Sequence, residues 1–209
     1  EDEDRGGKIL TGDFDLRPEP AQYLDSVYDA VYDVRLGAPS IDHHHIIIER
    51  LERYPYRILK EFAPEGFDMV RPENLSDVQR ATFFRRLKLA LENDNNTYDS
   101  FKDKIDDAVA MALKRVQWDY KTAVPMYYPQ TKGISLLLPL ALKDRQSVDL
   151  ALVVTKDADG LYCGQTIYPL EWAYRNARLV CRPESDWLST HTYNRTETAE
   201  THHTGRYQR

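Results

Sequence analysis

Three groups of residues in this chain are of types that can do chemistry. The first is cationic: Arg175, Asn176, Arg178 and Arg182 fall within eight residues. Spacings of three and four put the arginines on one side of a continued helix. Guanidinium forks hold phosphate oxygens two at a time, and an amide beside them can read a ribose or base edge. The pattern points to a phosphate or RNA-backbone site. The plainer alternative is a set of surface ion pairs, which are common and weak. In it, Arg175 and Arg178 pair with Glu171 or another acid, and Arg182 covers carbonyls where the chain turns.

The second group is aromatic. Tyr120, Tyr127, Tyr128, Tyr162, Tyr168, Trp172 and Tyr174 crowd the carboxyl half. Exposed beside arginines they would stack bases; buried they are core with a hydroxyl handle. Strand alternation sends Tyr127 and Tyr128 to opposite faces, so one of the two belongs to the core. Lys121 precedes this strand and can contact phosphate, or act as a nucleophile if desolvated. The third group is Asp42-His43-His44-His45. His43 and His45 are candidate general acid/base residues. On a helix three successive histidines point three ways and cannot share one metal ion; on a strand His43 and His45 share a face. No metal site or cofactor is therefore assigned. There is no Gly-rich phosphate loop, nucleophile elbow or HExxH segment, and Cys163 and Cys181 sit in no Cys-His arrangement.

The elements that must position these residues form an α+β pattern, helical in the first half. Residues 41–51 place Ile41, His44 or His45, Ile48 and Leu51 on one helical face, with Ser40 as the cap. Three successive isoleucines leave a strand open as the alternative. A second helix is expected over 76–91, capped by Ser76, and a third over 98–118, joined by the polar link 92–96 into a hairpin. From residue 123 the pattern changes to strands at 123–128, 134–142, 149–155 and 161–167, an antiparallel meander. The run 134–142 is apolar on both faces, as in a strand covered on both sides. A helix over 170–179 closes the sheet.

The chain has 209 residues, 28 Lys+Arg and 34 Asp+Glu, a net charge of −6. A 42% hydrophobic content excludes wholesale disorder, and the acidic balance excludes a protein held on nucleic acid by bulk charge alone. Two cysteines exclude a disulfide-dense scaffold. No apolar run reaches the roughly 18 residues of a membrane span, so no membrane partner is expected. Residues 1–20 hold seven acids against three bases and read as a flexible acidic leader, cut or processed at its start. Residues 21–188 form one domain, and 189–209 a flexible tail.

Several stretches are specific in wording: Ala123-Val124-Pro125-Met126-Tyr127-Tyr128, Leu136-Leu137-Leu138-Pro139-Leu140, Asp149-Leu150-Ala151-Leu152-Val153-Val154, and Ala173 through Leu188 in the pattern AYxNARLxxRPxSDWL. The chain resembles a bacterial family classed only as a domain of unknown function, whose members carry these motifs. The resemblance implies an association with nucleic-acid-binding modules, because members are at times joined to them.

Together these readings lead to an expectation: a cytoplasmic bacterial domain that recognises RNA or a nucleotide through Lys121, Tyr127, Arg175, Asn176, Arg178 and Arg182. One rival is a phosphoester-processing enzyme with His43 or His45 as acid/base; another is a structural or assembly module. Whether the chain is an enzyme stays open.

Overall fold

The computed structural model describes residue 24 and residues 26–128 and 133–189. The leader expected over 1–20, and the tail expected over 189–209 apart from Ser189, lie outside the described residues. Helices lead and a sheet follows, so the chain is α+β as its pattern requires.

The two long helices start where their side chains dictate. Helix α2 (Asp77–Glu92) opens on a capping box: Ser76 Oγ accepts from the Gln79 amide, and Gln79 accepts from the Ser76 amide. Helix α3 (Asn95–Trp118) is capped by Asp94, which accepts from the Thr97 amide. A short helix, α1 (Tyr56–Glu61), precedes them after Pro55. Phe83, Leu87 and Leu91 of α2 share one core with Phe101, Ile105 and Val109 of α3.

Strands β2 (Val124–Tyr128), β3 (Gly133–Leu140), β4 (Leu150–Lys156) and β5 (Tyr162–Pro169) form the expected meander, each antiparallel to the next. Gly160 takes a φ of 78° in the turn before β5, a conformation that suits glycine. Pro125 lacks an amide hydrogen and sits in β2, the outermost strand on its side. Leu136, Leu138, Leu150 and Leu152 face α2 and α3. Leu137, Ala151, Val153 and Met126 face the opposite way, toward Ala173 and Ala177 of helix α4 (Leu170–Ala177). The sheet is therefore apolar on both faces.

The first half departs from its expected helix over 41–51. Ser40 is no cap: Ser40–Ile41 is a two-residue strand, β1, parallel to β5. It makes the sheet five-stranded and mixed, in the order β1-β5-β4-β3-β2. Asp42 takes the capping role, accepting from the His45 amide at 3.0 Å. A π-helical turn follows at His45–Glu49, then a 3₁₀ turn at Leu51–Arg53. Ile46, Ile47 and Ile48 are all buried. A single amphipathic face cannot bury three successive residues; here α2 touches the segment on one side and β5 on another, so all three are covered.

Two polar devices join distant parts. Asp149, 3% exposed, accepts from the amides of Leu142 (2.7 Å) and Lys143 (3.1 Å) and from Arg57 Nε at 3.0 Å. It ties α1 to the β3–β4 connection. At the carboxyl end, Ser185 Oγ donates to the Lys121 carbonyl (2.6 Å) and Trp187 Nε1 to the Thr122 carbonyl (2.8 Å), while Leu188 enters the core beneath α4. The SDWL motif thus clasps the chain end to the turn before β2. No helix among the described residues is long and apolar enough to cross a membrane.

The Asp149 arrangement makes a definite prediction. Asp149→Ala leaves Arg57 half-buried without its counter-charge and two amides without an acceptor. It should lower unfolding free energy by about 3–5 kcal/mol in urea titrations. Leu161→Ala, at an exposed position, should change it by less than about 0.5 kcal/mol.

Candidate anion-binding site

The residues expected to form a phosphate site do not make one cluster. Helix α4 ends at Ala177, and the following turn carries Arg182 off the helix. Arg175 pairs with Glu171 one turn away. Arg178 lies over the Tyr174 ring, its Cζ 5.5 Å from the centroid. Asn176 Nδ2 donates to the Trp172 carbonyl at 2.9 Å. Lys121 Nζ donates to Glu184 Oε2 at 2.6 Å, which raises the lysine pKa and lowers that of Glu184. Tyr127 is half-buried in β2, and its neighbour Tyr128 is the core member of the pair. The histidines also separate: His43 reaches Asp106 of α3 (2.7 Å), His44 faces Glu92 of α2 (3.4 Å), and His45 reaches Glu49 (2.6 Å). Among the described residues no group of three or more His, Cys, Asp or Glu could hold a metal ion.

Positive charge gathers instead between the π-helical turn and β5. The local cause is a one-residue irregularity. Thr166 pairs with Val153 and Gly164 with Val154, leaving Gln165 as an extra residue, a β-bulge. Side chains alternate faces with period two, so one inserted residue exchanges the faces of everything after it. Gly164 lies opposite Val154 on the α3 side; without the bulge Thr166 would follow it there. Instead Thr166 and Tyr168 lie opposite Val153 and Ala151, on the α4 side. π-Turns and bulges both recur at functional sites, and here the two meet.

A cavity of about 190 Å³ lies between them. Arg50, Arg53 and His45 line it from the amino-terminal segment; Tyr128, Gln165, Thr166 and Tyr168 line it from the sheet. Arg53 is anchored: Nη1 donates to Thr166 Oγ1 (2.7 Å) and to the Ile167 carbonyl (3.0 Å). Its Cζ stands 5.8 Å from the Tyr168 ring centroid and 5.5 Å from that of Trp172. Tyr168 and Trp172 meet edge to face at 5.9 Å, and Tyr168 meets Tyr128 at 6.5 Å. Arg50 is less well provided for. Its Nε is buried and has no hydrogen-bond partner among the described residues.

The electrostatics follow from this crowding. Burial lowers the Arg53 pKa, and the nearby Arg50 guanidinium lowers it further. Burial raises that of the Tyr168 hydroxyl, with Arg53 opposing. Among the described residues neither arginine forms an ion pair with a carboxylate. The segment's two acids have other ion-pair partners, Glu49 with His45 and Glu52 with Lys88 at 3.1 Å, although Glu52 still acts on Arg53 through space. Two permanent cations partly removed from water, one with a buried donor unmatched, suit a multivalent oxyanion.

Of the residues singled out in the sequence, His45, Tyr128 and Tyr168 line this cavity; Arg175 and Asn176 share the Trp172 face of α4 by helical spacing and do not line it. Arg50 and Arg53 were missed. Their i,i+3 spacing after a buried isoleucine run was a signal, but Arg53's partners Thr166 and Ile167 lie more than 110 residues away.

The fold is α+β, and an arginine-lined cavity lies beside β5. The sequence model described as "Domain of unknown function (DUF3825)" matches residues 1–187, so the chain belongs to that family. The expected leader falls within the matched length. No curated protein and no solved structure matches the chain.

The unequal provision for the two arginines is testable without a ligand. Arg53→Met removes two hydrogen bonds and should destabilise the fold by about 1–3 kcal/mol. Arg50→Met removes an unmatched buried donor and a repelling charge. It should leave stability unchanged or raise it by up to about 1 kcal/mol. Thermal unfolding of both variants checks the contrast.

Proposed function

We propose that this domain recognises a phosphate-bearing ligand, RNA or a nucleotide, at the cavity lined by Arg50, Arg53, His45, Tyr128 and Tyr168, with Trp172 packed against Tyr168. The observation that carries the reading is the buried Nε of Arg50, unmatched among the described residues, beside a second arginine that no described carboxylate pairs. Phosphate oxygens would supply the missing acceptors, and half-exposed Trp172 offers a stacking surface for a base. Arg175 and Asn176 then serve the strand or sugar beyond the mouth; Lys121 and Arg182 lie along the carboxyl clasp and add only diffuse attraction. The body charge is close to neutral, so recognition is local, modest in affinity and sensitive to salt. We place the protein in a bacterial cytoplasm, in keeping with its motifs and with Cys163 and Cys181 as free thiols.

A second reading adds chemistry. His45 Nδ1 lies 2.6 Å from Glu49 Oε2, and a ring that donates to Glu49 there leaves Nε2 as the nitrogen able to accept a proton. Because His45 lines the cavity, a phosphoester there would have a general base within reach of an attacking water.

The test is RNA and mononucleotide binding at low and high salt. Arg50→Gln should weaken binding by about tenfold or more, whereas Arg178→Ala should leave it within about twofold. Equal binding by the wild type and Arg50→Gln would reject the cavity. Phosphate release from a mononucleotide, lost in His45→Ala while binding persists, would support the enzymatic reading; its absence in the wild type would reject that reading alone.

A further inference from the structure

Resting on the phosphate-recognition reading, the geometry points to a terminal phosphomonoester as the group this cavity takes, in preference to the internal phosphodiester of a continuous strand. We infer this from three properties of the site. The first is size. About 190 Å³ falls below the roughly 300–1,000 Å³ of pockets that enclose whole drug-sized ligands. It admits a phosphate and the start of a sugar, and leaves a base outside.

The second is where the unmatched donor sits. Arg50 lines the cavity and its Nε is shielded from bulk solvent, so a group must enter the cavity to meet this side chain. An internal phosphate carries a sugar on each side, and both would have to enter with it. A terminal phosphate enters end-on, with its single sugar at the mouth beside Tyr168 and Trp172.

The third is charge. Arg50 and Arg53 present two positive charges, each of which the other opposes. A phosphomonoester carries about −1.5 to −2 near neutral pH, against −1 for a diester. The monoester therefore neutralises both guanidiniums, and the diester leaves one in excess. Oxygen acceptors also differ, because a monoester has three unesterified oxygens and a diester two. Arg53 already gives Nη1 to Thr166 and Ile167, so its remaining donors and Arg50 Nε form the free set.

The experiment uses the full chain and one short oligoribonucleotide in three forms: 5′-phosphorylated, 3′-phosphorylated, and hydroxyl at both ends, each followed by fluorescence anisotropy. At least one phosphorylated form should bind about tenfold or more tightly than the unphosphorylated form, as expected for charge-assisted bonds to an added anionic group. Inorganic phosphate should compete that advantage away. Arg50→Gln, shown folded by its thermal transition, should abolish the advantage, and Arg50→Lys should retain part of it. Equal affinity for all three ends, with each weakened by Arg50→Gln, would overturn end selectivity while leaving phosphate recognition intact. Affinities indifferent to Arg50→Gln, or no binding of any form, would overturn both.

Discussion

A sheet clothed in apolar side chains on both faces has only its margins left for charged chemistry. That constraint organises this domain. Leu138 and Leu152 are sealed beneath the long helices, and Leu137 and Val153 beneath α4. Strand β1 covers β5 for two residues only, at Cys163 and Gly164. Beyond that point the margin of β5 passes to the irregular segment 43–54, whose Arg53 meets the Ile167 carbonyl directly. The cavity is what remains where a helix-like turn, rather than another strand, lies along the sheet.

The two arginines divide the work. Arg53 is held by Thr166, Ile167 and two aromatic rings, so the fold alone fixes its position. Arg50 keeps a donor that nothing described satisfies. A fold optimised for stability alone would replace it with an apolar residue of similar length, since an uncompensated polar atom away from water costs free energy. Its presence is intelligible if the side chain meets an acceptor brought from outside.

Much of the fold was legible in the sequence, and less of the site. Ser76 and Gln79 announce the start of α2, and the meander follows from its turns and its two-faced apolar run. The segment after Ser40 was not legible, because periodicity assumes a regular turn and the isoleucine run is covered from more than one side. The bulge at Gln165 was hidden for a related reason: strand alternation reads as unbroken unless the partner register is known. The most distinctive wording, around Ser185 and Trp187, marks the clasp on the Lys121 and Thr122 carbonyls. The arginines between Trp172 and that clasp stood out because they are close in sequence. Arg50 and Arg53 gain meaning only from contacts that cross more than half the chain.

The guanidinium on the Ile167 carbonyl has a consequence unrelated to any ligand. Bare backbone along a sheet is a template on which another extended chain can grow, the first step toward fibrillar aggregates. At one border Arg53 occupies an acceptor such a chain would use and places a cation in its path. At the other, Pro125 withholds a donor from the outermost strand. Both borders of this sheet are thus poor seeds for strand-by-strand growth, and the side chain that frames the cavity also helps keep copies of the protein apart.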